Sequence, residues 1–342
     1  EGLHRARCTG DGAYALFGAA VCTVFLLCVC VGSVSVPAAE TLRAICAAFS
    51  GAAEDVPAII YHVRLPRVLC VALTGASLSI AGAAMQGLLR NPLADGSTLG
   101  VSSGASIGAV IAIALRLSIP GLPGGGVTAA AMLSAFVSLA LILALAYRLD
   151  NSLSTQTIIL IGVIFSMFAS SIISLVVVFA GERVKSILFW TMGSLSGSTY
   201  KNAATLFGTL VVCGGALLLC ARELNAFALG EDSARHIGVP VRRVKTIVLV
   251  VVSALIGVCV SIGGTIGFVG LVIPHMVRMV VGPNHKRLLP ASLFAGAVFL
   301  MLTDLFSRIV LRPLELPIGV VTSFVGSLTF VFLFFRTRRA AK

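Results

Sequence analysis

Ionisable and polar side chains are scarce in this chain, so the few that interrupt its apolar runs carry whatever chemistry it performs. Of its 342 residues, 58% are apolar and only 11% are charged. Asp304 and Arg308 stand one helical turn apart inside an apolar stretch, a spacing at which carboxylate and guanidinium can neutralise each other in a membrane. Arg64-Leu65-Pro66-Arg67 places two more guanidiniums at the head of another apolar run, and Gln86-Gly87-Leu88-Leu89-Arg90-Asn91-Pro92-Leu93-Ala94 ends that run on an Asn-Pro break. Gly263-Gly264-Thr265-Ile266-Gly267-Phe268-Val269-Gly270-Leu271-Val272-Ile273-Pro274-His275 is rich in glycine and carries a proline that must disturb its helix. His275 has no second His or Cys at ligand spacing, so a structural hydrogen bond is expected of it and no metal site. No HExxH and no Ser/His/Asp or paired-acid constellation is present, which argues against an enzyme. No lysine follows a glycine, so the chain has no Walker A loop, and Pro120-Gly121-Leu122-Pro123-Gly124-Gly125-Gly126 reads as a flexible turn.

These residues must be held by membrane-spanning helices. A soluble domain has about a quarter of its residues charged, and the apolar runs repeatedly approach the ~20 residues that cross a bilayer as helix. They fall near 13–36, 68–89, 97–115, 127–147, 157–180, 203–221, 244–262, 266–281, 290–311 and 318–335. The first follows Arg5 and Arg7 but exceeds a signal-peptide core and lacks a small-x-small site, so it is expected to be a retained helix. Ten spans put both termini on one side, and the larger share of Lys and Arg falls in the segments on that side, which makes it cytoplasmic. The formal charge of +12 is dispersed between spans, as topology signals are, and forms no nucleic-acid-binding stripe. The nine cysteines include no CxxC pair and read as small packing residues.

Two segments between spans exceed a turn. The outer one, about 181–201, contains a short helix at about 186–198 that lies at the outer mouth. The inner one, about 222–245, contains Leu229-Gly230-Glu231-Asp232-Ser233-Ala234-Arg235-His236-Ile237-Gly238, with acids early and bases late as the helix dipole prefers, bracketed by two glycines. Gly100, Gly104 and Gly108 recur every fourth residue, with Ser102, Ser103 and Ser106 between them. Close packing of a neighbouring helix is the default reading, and a pathway lined with small polar groups is the alternative. Ion-coupled transporters keep several membrane carboxylates; their scarcity here argues for energy supplied from outside the membrane.

The motifs resemble those of the FecCD family, the permease subunits of type II ABC importers for iron-siderophores, haem and cobalamin. The resemblance runs from about Arg64 onward. It rests on Arg64-Leu65-Pro66-Arg67, Asn91-Pro92-Leu93-Ala94, Leu99-Gly100-Val101, Ala228 to Gly238, Gly267 to His275, and Glu315-Leu316-Pro317-Ile318-Gly319-Val320-Val321-Thr322. It implies an all-α integral membrane protein of about ten transmembrane helices, with residues 1–342 forming one permease domain. It further implies a homodimer with a central pathway, two cytoplasmic ATPase subunits that bind ATP and magnesium, an extracytoplasmic substrate-binding protein, and a bacterial or archaeal cell membrane. No cofactor and no nucleic acid is implied for this chain.

By the same resemblance, Leu229, Gly230, Glu231, Ala234, Arg235 and Gly238 couple to the ATPase. Leu153-Ser154-Thr155-Gln156 matches the gate turn, which makes Thr155 and Gln156 the cytoplasmic gate, with Gln156 departing from a smaller hydroxyl residue. Arg64, Arg67 and Arg308 match arginines that dock the binding protein. The expected cargo is an iron chelate, either a ferric siderophore or haem. A cobalamin permease is the alternative, and an oxyanion permease of the molybdate type or an ion-coupled secondary transporter follows.

Overall fold

The computed structural model describes residues 10–32, 43, 59–119, 124–150 and 154–340. The described chain is helical throughout its spans: α1 (Gly10–Cys30), α2 (Ile60–Leu88), α3 (Val101–Ala114), α4 (Gly125–Leu149), α5 (Thr155–Phe179), α6 (Val184–Thr191), α7 (Tyr200–Leu219), α8 (Ala221–Phe227), α9 (Glu231–His236), α10 (Val241–Gly263), α11 (Val269–Val281), α12 (His285–Ile309) and α13 (Ile318–Ala340). Among the described residues, six helices are long and apolar enough to cross a bilayer, and four shorter apolar helices join them in the order of the ten sequence runs.

Burial sorts these helices. The most apolar window of α2 is 83% buried, whereas that of α5 is 22% buried, so α2 is the axis of the bundle and α5 lies on its flank. Helix α2 packs along α12, α11 and α10, and α3 packs along α4. Small residues make these approaches possible. A Cβ at Gly82 would fall inside the van der Waals envelope of the Gly270 carbonyl, and one at Gly75 inside that of Gly296. The Gly104 and Gly108 face of α3 meets Ala130, Ser134 and Ser138 of α4 in the same way. The glycine repeat is therefore a packing face, because dispersion between close backbones must replace the hydrophobic drive that lipid removes.

Helices α3 and α11 have 14 and 13 residues, or about 20 Å of rise, against ~30 Å of hydrocarbon. Each follows a non-α segment, 91–100 with a 3-10 turn at Gly96–Leu99 before α3 and 264–268 before α11, and each is short enough to begin within the apolar zone. Exposed backbone at that depth is tolerated only where protein or a cavity surrounds it. Gly100 caps α3 at φ 74°, where a side chain would be strained.

The helix expected over 186–198 is shorter: α6 ends at Thr191. Gly193 turns the chain at φ 74°. Thr265 Oγ1 donates to the Thr191 carbonyl and Ser194 N donates to Gly263 O, which ties the end of α6 to the irregular segment before α11.

Candidate functional site

Both segments open onto one half-open cavity of about 450 Å³. Ser102, Ser103 and Ser106 of α3 line it together with Ser170 of α5, Ile256 and Val260 of α10, and Phe268 at the head of α11. The two sequence readings of the Gly/Ser repeat are thus divided between two faces of one helix: the glycines pack and the serines line the cavity. Ser103 Oγ donates to Ser166 Oγ at 3.1 Å, which joins α3 to α5. Phe268 sits at φ 67°, a left-handed conformation that an aromatic residue adopts at a penalty of about 1–2 kcal/mol. Its ring lies against Gly326 of α13, where a Cβ would collide with it.

Pro274 stands inside α11 without ending it, although its missing N–H leaves the Gly270 carbonyl without its helical donor. Gln86 of α2 supplies the replacement, its Nε2 donating to Gly270 O at 3.3 Å and to Leu271 O at 3.0 Å. The sequence reading anticipated the disturbance and missed the donor. The available signal was the proline's i−4 carbonyl together with a lone buried Gln on another span. His275 departs from expectation, since its Nδ1 is buried without a hydrogen-bond partner among the described residues. No group of three metal-ligating side chains occurs among the described residues.

At the end of the bundle where α2 begins, the structure corrects the reading of Arg64, Arg67 and Arg308. All three are buried, at 4%, 7% and 3% exposure, and they face inward. Arg67 holds Asp304 Oδ1 through Nε at 3.1 Å and Nη2 at 3.0 Å, and Glu315 Oε2 through Nη1 at 2.7 Å. Arg308 Nε lies 2.9 Å from Asp304 Oδ2, the expected pair one turn apart. Its other nitrogens donate to the Val31 and Cys28 carbonyls, while Arg64 Nη1 donates to Val29 O and Cys30 O. The last carbonyls of α1, which no helical N–H reaches, are therefore capped by two guanidiniums. The physical reason is desolvation: in an apolar bundle a cation is held where acids and free carbonyls can replace its water. Sequence position alone could not distinguish such a clamp from an exposed rim.

At the opposite end, α9 is bracketed as expected, by Gly230 at φ 113° and Gly238 at φ 89°. Leu229 and Ile237 are exposed at 70% and 64%, unusual for aliphatic residues beside a polar helix. Arg235 and Gly238 are exposed as well, and Gly230 is half-buried. Ala234 is corrected: it is fully buried against its own subunit, so it seats the helix and does not face a partner. Glu231 Oε1 lies 2.6 Å from Nζ of Lys245, a fully buried lysine in the first turns of α10. Since α10 also lines the half-open cavity through Ile256 and Val260, one helix joins the exposed knob to the cavity wall. This ion pair was not foreseen, because Lys245 read as one more topology charge.

Thr155 and Gln156 open α5 at the same end, half-buried and exposed respectively. Ser154 caps the helix by accepting from Thr157 N at 3.3 Å, and Asp150 Oδ2 accepts from Ser154 N at 3.1 Å. Leu153 lies outside the described residues, as do residues 120–123 of the glycine-rich turn.

The model of the FecCD transport family matches residues 20–336. The ABC transporter permease protein YvrB of Bacillus subtilis, described as uncharacterized, is 44% identical over 285 residues, covering 83% of this chain and 80% of its own. The cobalamin import system permease protein BtuC of Halobacterium salinarum is 39% identical over 283 residues, covering 83% of this chain and 75% of its own. A solved metal-chelate type ABC transporter in an inward-facing conformation superposes with a TM-score of 0.82 at 29% identity, covering 96% of this chain and 99% of that one. With a family match across nearly its whole length and a 44% identical permease relative, the chain belongs to the FecCD transport family and is an ABC transporter permease.

Proposed function

We propose that this permease carries a metal chelate across the cell membrane, driven by ATP that a separate subunit hydrolyses with magnesium. The observation that carries the reading is the mechanical connection at the inner end. A glycine-bracketed helix with exposed Leu229 and Ile237 is seated by Ala234 and by the Glu231–Lys245 pair on the helix that lines the cavity. Such a knob can receive a push from an ATPase groove and pass it to the bundle. Leu229, Arg235 and Gly238 form its outward side, Gly230 its hinge, and Glu231 its linkage. Thr155 and Gln156, at the head of a helix with a largely uncovered flank, form the cytoplasmic gate once a second copy faces them. Two copies, two ATPase subunits and an extracytoplasmic binding protein complete the assembly, with both termini of each copy cytoplasmic. Arg64, Arg67 and Arg308 serve the binding protein indirectly, by holding α1 and the outer ends of α2 and α12 in place.

Among chelates, cobalamin has the support of the 39% identical relative. An iron chelate, the first expectation from the sequence, is compatible with the solved metal-chelate type transporter, whose description names no particular metal. Proteoliposomes holding the permease, its ATPase and its binding protein should accumulate cyanocobalamin in an ATP-dependent manner and leave ferric hydroxamate outside. The reverse preference would establish the iron reading. Uptake that persists without the ATPase, or follows a sodium or proton gradient, would overturn ATP-driven transport altogether.

A further inference from the structure

Where α4 ends and α10 begins, the surface holds a second cavity, an open groove of about 810 Å³. Its lining includes Tyr147 of α4, Arg235 of α9, Pro240 of the segment that follows it, and Arg242, Arg243 and Ile247 of α10, with no carboxylate among its described residues. Arg235, Arg242 and Arg243 are exposed and make no ion pair among the described residues. Arg242 lies over the Tyr147 ring at 4.9 Å, and the Tyr147 hydroxyl is 2.6 Å from Thr246 Oγ1, so the aromatic wall is fixed to the basic one.

The placement of these charges is unfavourable unless something answers them. The first turn of α10 has no acid and the helix start has no side-chain cap, while a helix N-terminus already carries positive potential. The neighbouring α9 follows the opposite, ordinary order, with Glu231 and Asp232 first and Arg235 and His236 last. Above the arginines the surface becomes apolar. Arg243, Ile247 and Val250 share one stripe of α10 at helical spacing, and Ile247 and Val250 are exposed at 38% and 40%. A ligand that matches this surface has an anionic head and an apolar tail entering it from the bilayer.

We infer that this groove binds the headgroup of an anionic phospholipid of the adjacent leaflet. The phosphate meets Arg242 and Arg243, one acyl chain lies along Ile247 and Val250, and Tyr147 sits at the headgroup level where interfacial aromatics collect. An acidic protein surface would satisfy the arginines but would leave the apolar stripe unmatched. The lipid would brace the first turn of α10 beside Lys245, the point where α9 is attached.

The test uses the purified full-length chain in neutral detergent, titrated with dioleoyl-phosphatidylglycerol and followed by native mass spectrometry and by thermal stability. Saturable binding that raises Tm is expected from this lipid and not from dioleoyl-phosphatidylcholine. R242Q/R243Q should weaken it by about fivefold per arginine removed, whereas R148Q, on α4 outside the groove, should leave it unchanged. Equal binding of both lipids, or undiminished binding in R242Q/R243Q, would overturn the proposal. Glycerol 3-phosphate giving the same stabilisation would assign the site to a soluble phosphate instead. Exclusion of the lipid on adding the ATPase, with assembly lost in R242Q/R243Q, would make the groove the ATPase seat and likewise overturn it. All of these exposed substitutions preserve the core, and an unchanged Tm without lipid verifies that.

Discussion

Replacing Asp304 by Asn isolates the charge cluster of Arg67, Asp304, Arg308 and Glu315. Asp304 is 1% exposed and lies within 3.0 Å of Arg67 and 2.9 Å of Arg308, whose side chains are 8% and 3% exposed. At an effective dielectric constant of about 20, one such contact is worth roughly 4 kcal/mol of Coulomb energy, part of which the removed desolvation of the carboxylate returns. Arg67 keeps Glu315, and the carboxamide oxygen still accepts one hydrogen bond, so the net loss should be near the low end of a broken buried pair, about 3 kcal/mol. That is a large fraction of the 5–15 kcal/mol, roughly, that holds a folded domain. The consequence should be local as well as global. Arg308 caps α1 through the Cys28 and Val31 carbonyls, and the fully buried Cys28 thiol lies 3.4 Å from Met301 O. D304N should therefore lower the Tm of the detergent-purified protein and raise the alkylation rate at Cys28, by up to about 100-fold where exposure limits the reaction. R308M/D304N should be less destabilised than the two single changes combined, because the partners are lost together. The reasoning fails if D304N leaves Tm and Cys28 reactivity at wild-type values. It fails equally if its sole effect is weaker capture by the binding protein, for the arginines would then be free to dock as their sequence position first suggested.

Three further outcomes follow from the packing and the coupling connection. G82A must push α2 from α11 because no space exists at the Gly270 carbonyl; a loss of about 1–3 kcal/mol is expected, read as a lowered Tm. Q86L should strand the Gly270 carbonyl, which loses its cross-helix donor, at about 1–3 kcal/mol; a Tm equal to wild type would show that α11 satisfies itself. E231Q leaves Lys245 without its 2.6 Å carboxylate, so ATPase subunits should still assemble, through Leu229 and Ile237, but their stimulation by loaded binding protein should fall severalfold; unaltered stimulation would remove Glu231 from the coupling route.

Span order, the class of protein and the short helix α9 were all legible in the sequence, because each depends on local chemistry. Apolar length decides whether a helix can cross, two glycines decide where α9 stops, and the order of Glu231, Asp232, Arg235 and His236 matches its dipole. The i, i+4 pair of Asp304 and Arg308 was legible for the same reason, since both partners lie on one helix. What tertiary structure alone decided was the direction of side chains between helices. Arg67 comes from α2 and Arg64 precedes it by three residues, yet one reaches Asp304 across 237 positions and the other reaches the end of α1. Ala234 became a seat and Lys245 an anchor because α9 folds back onto α10. Gln86 became the donor that Pro274 lacks because two glycines let α2 and α11 touch. A sequence displays which groups must be satisfied in an apolar medium, and only the packing of its helices determines which distant group satisfies them.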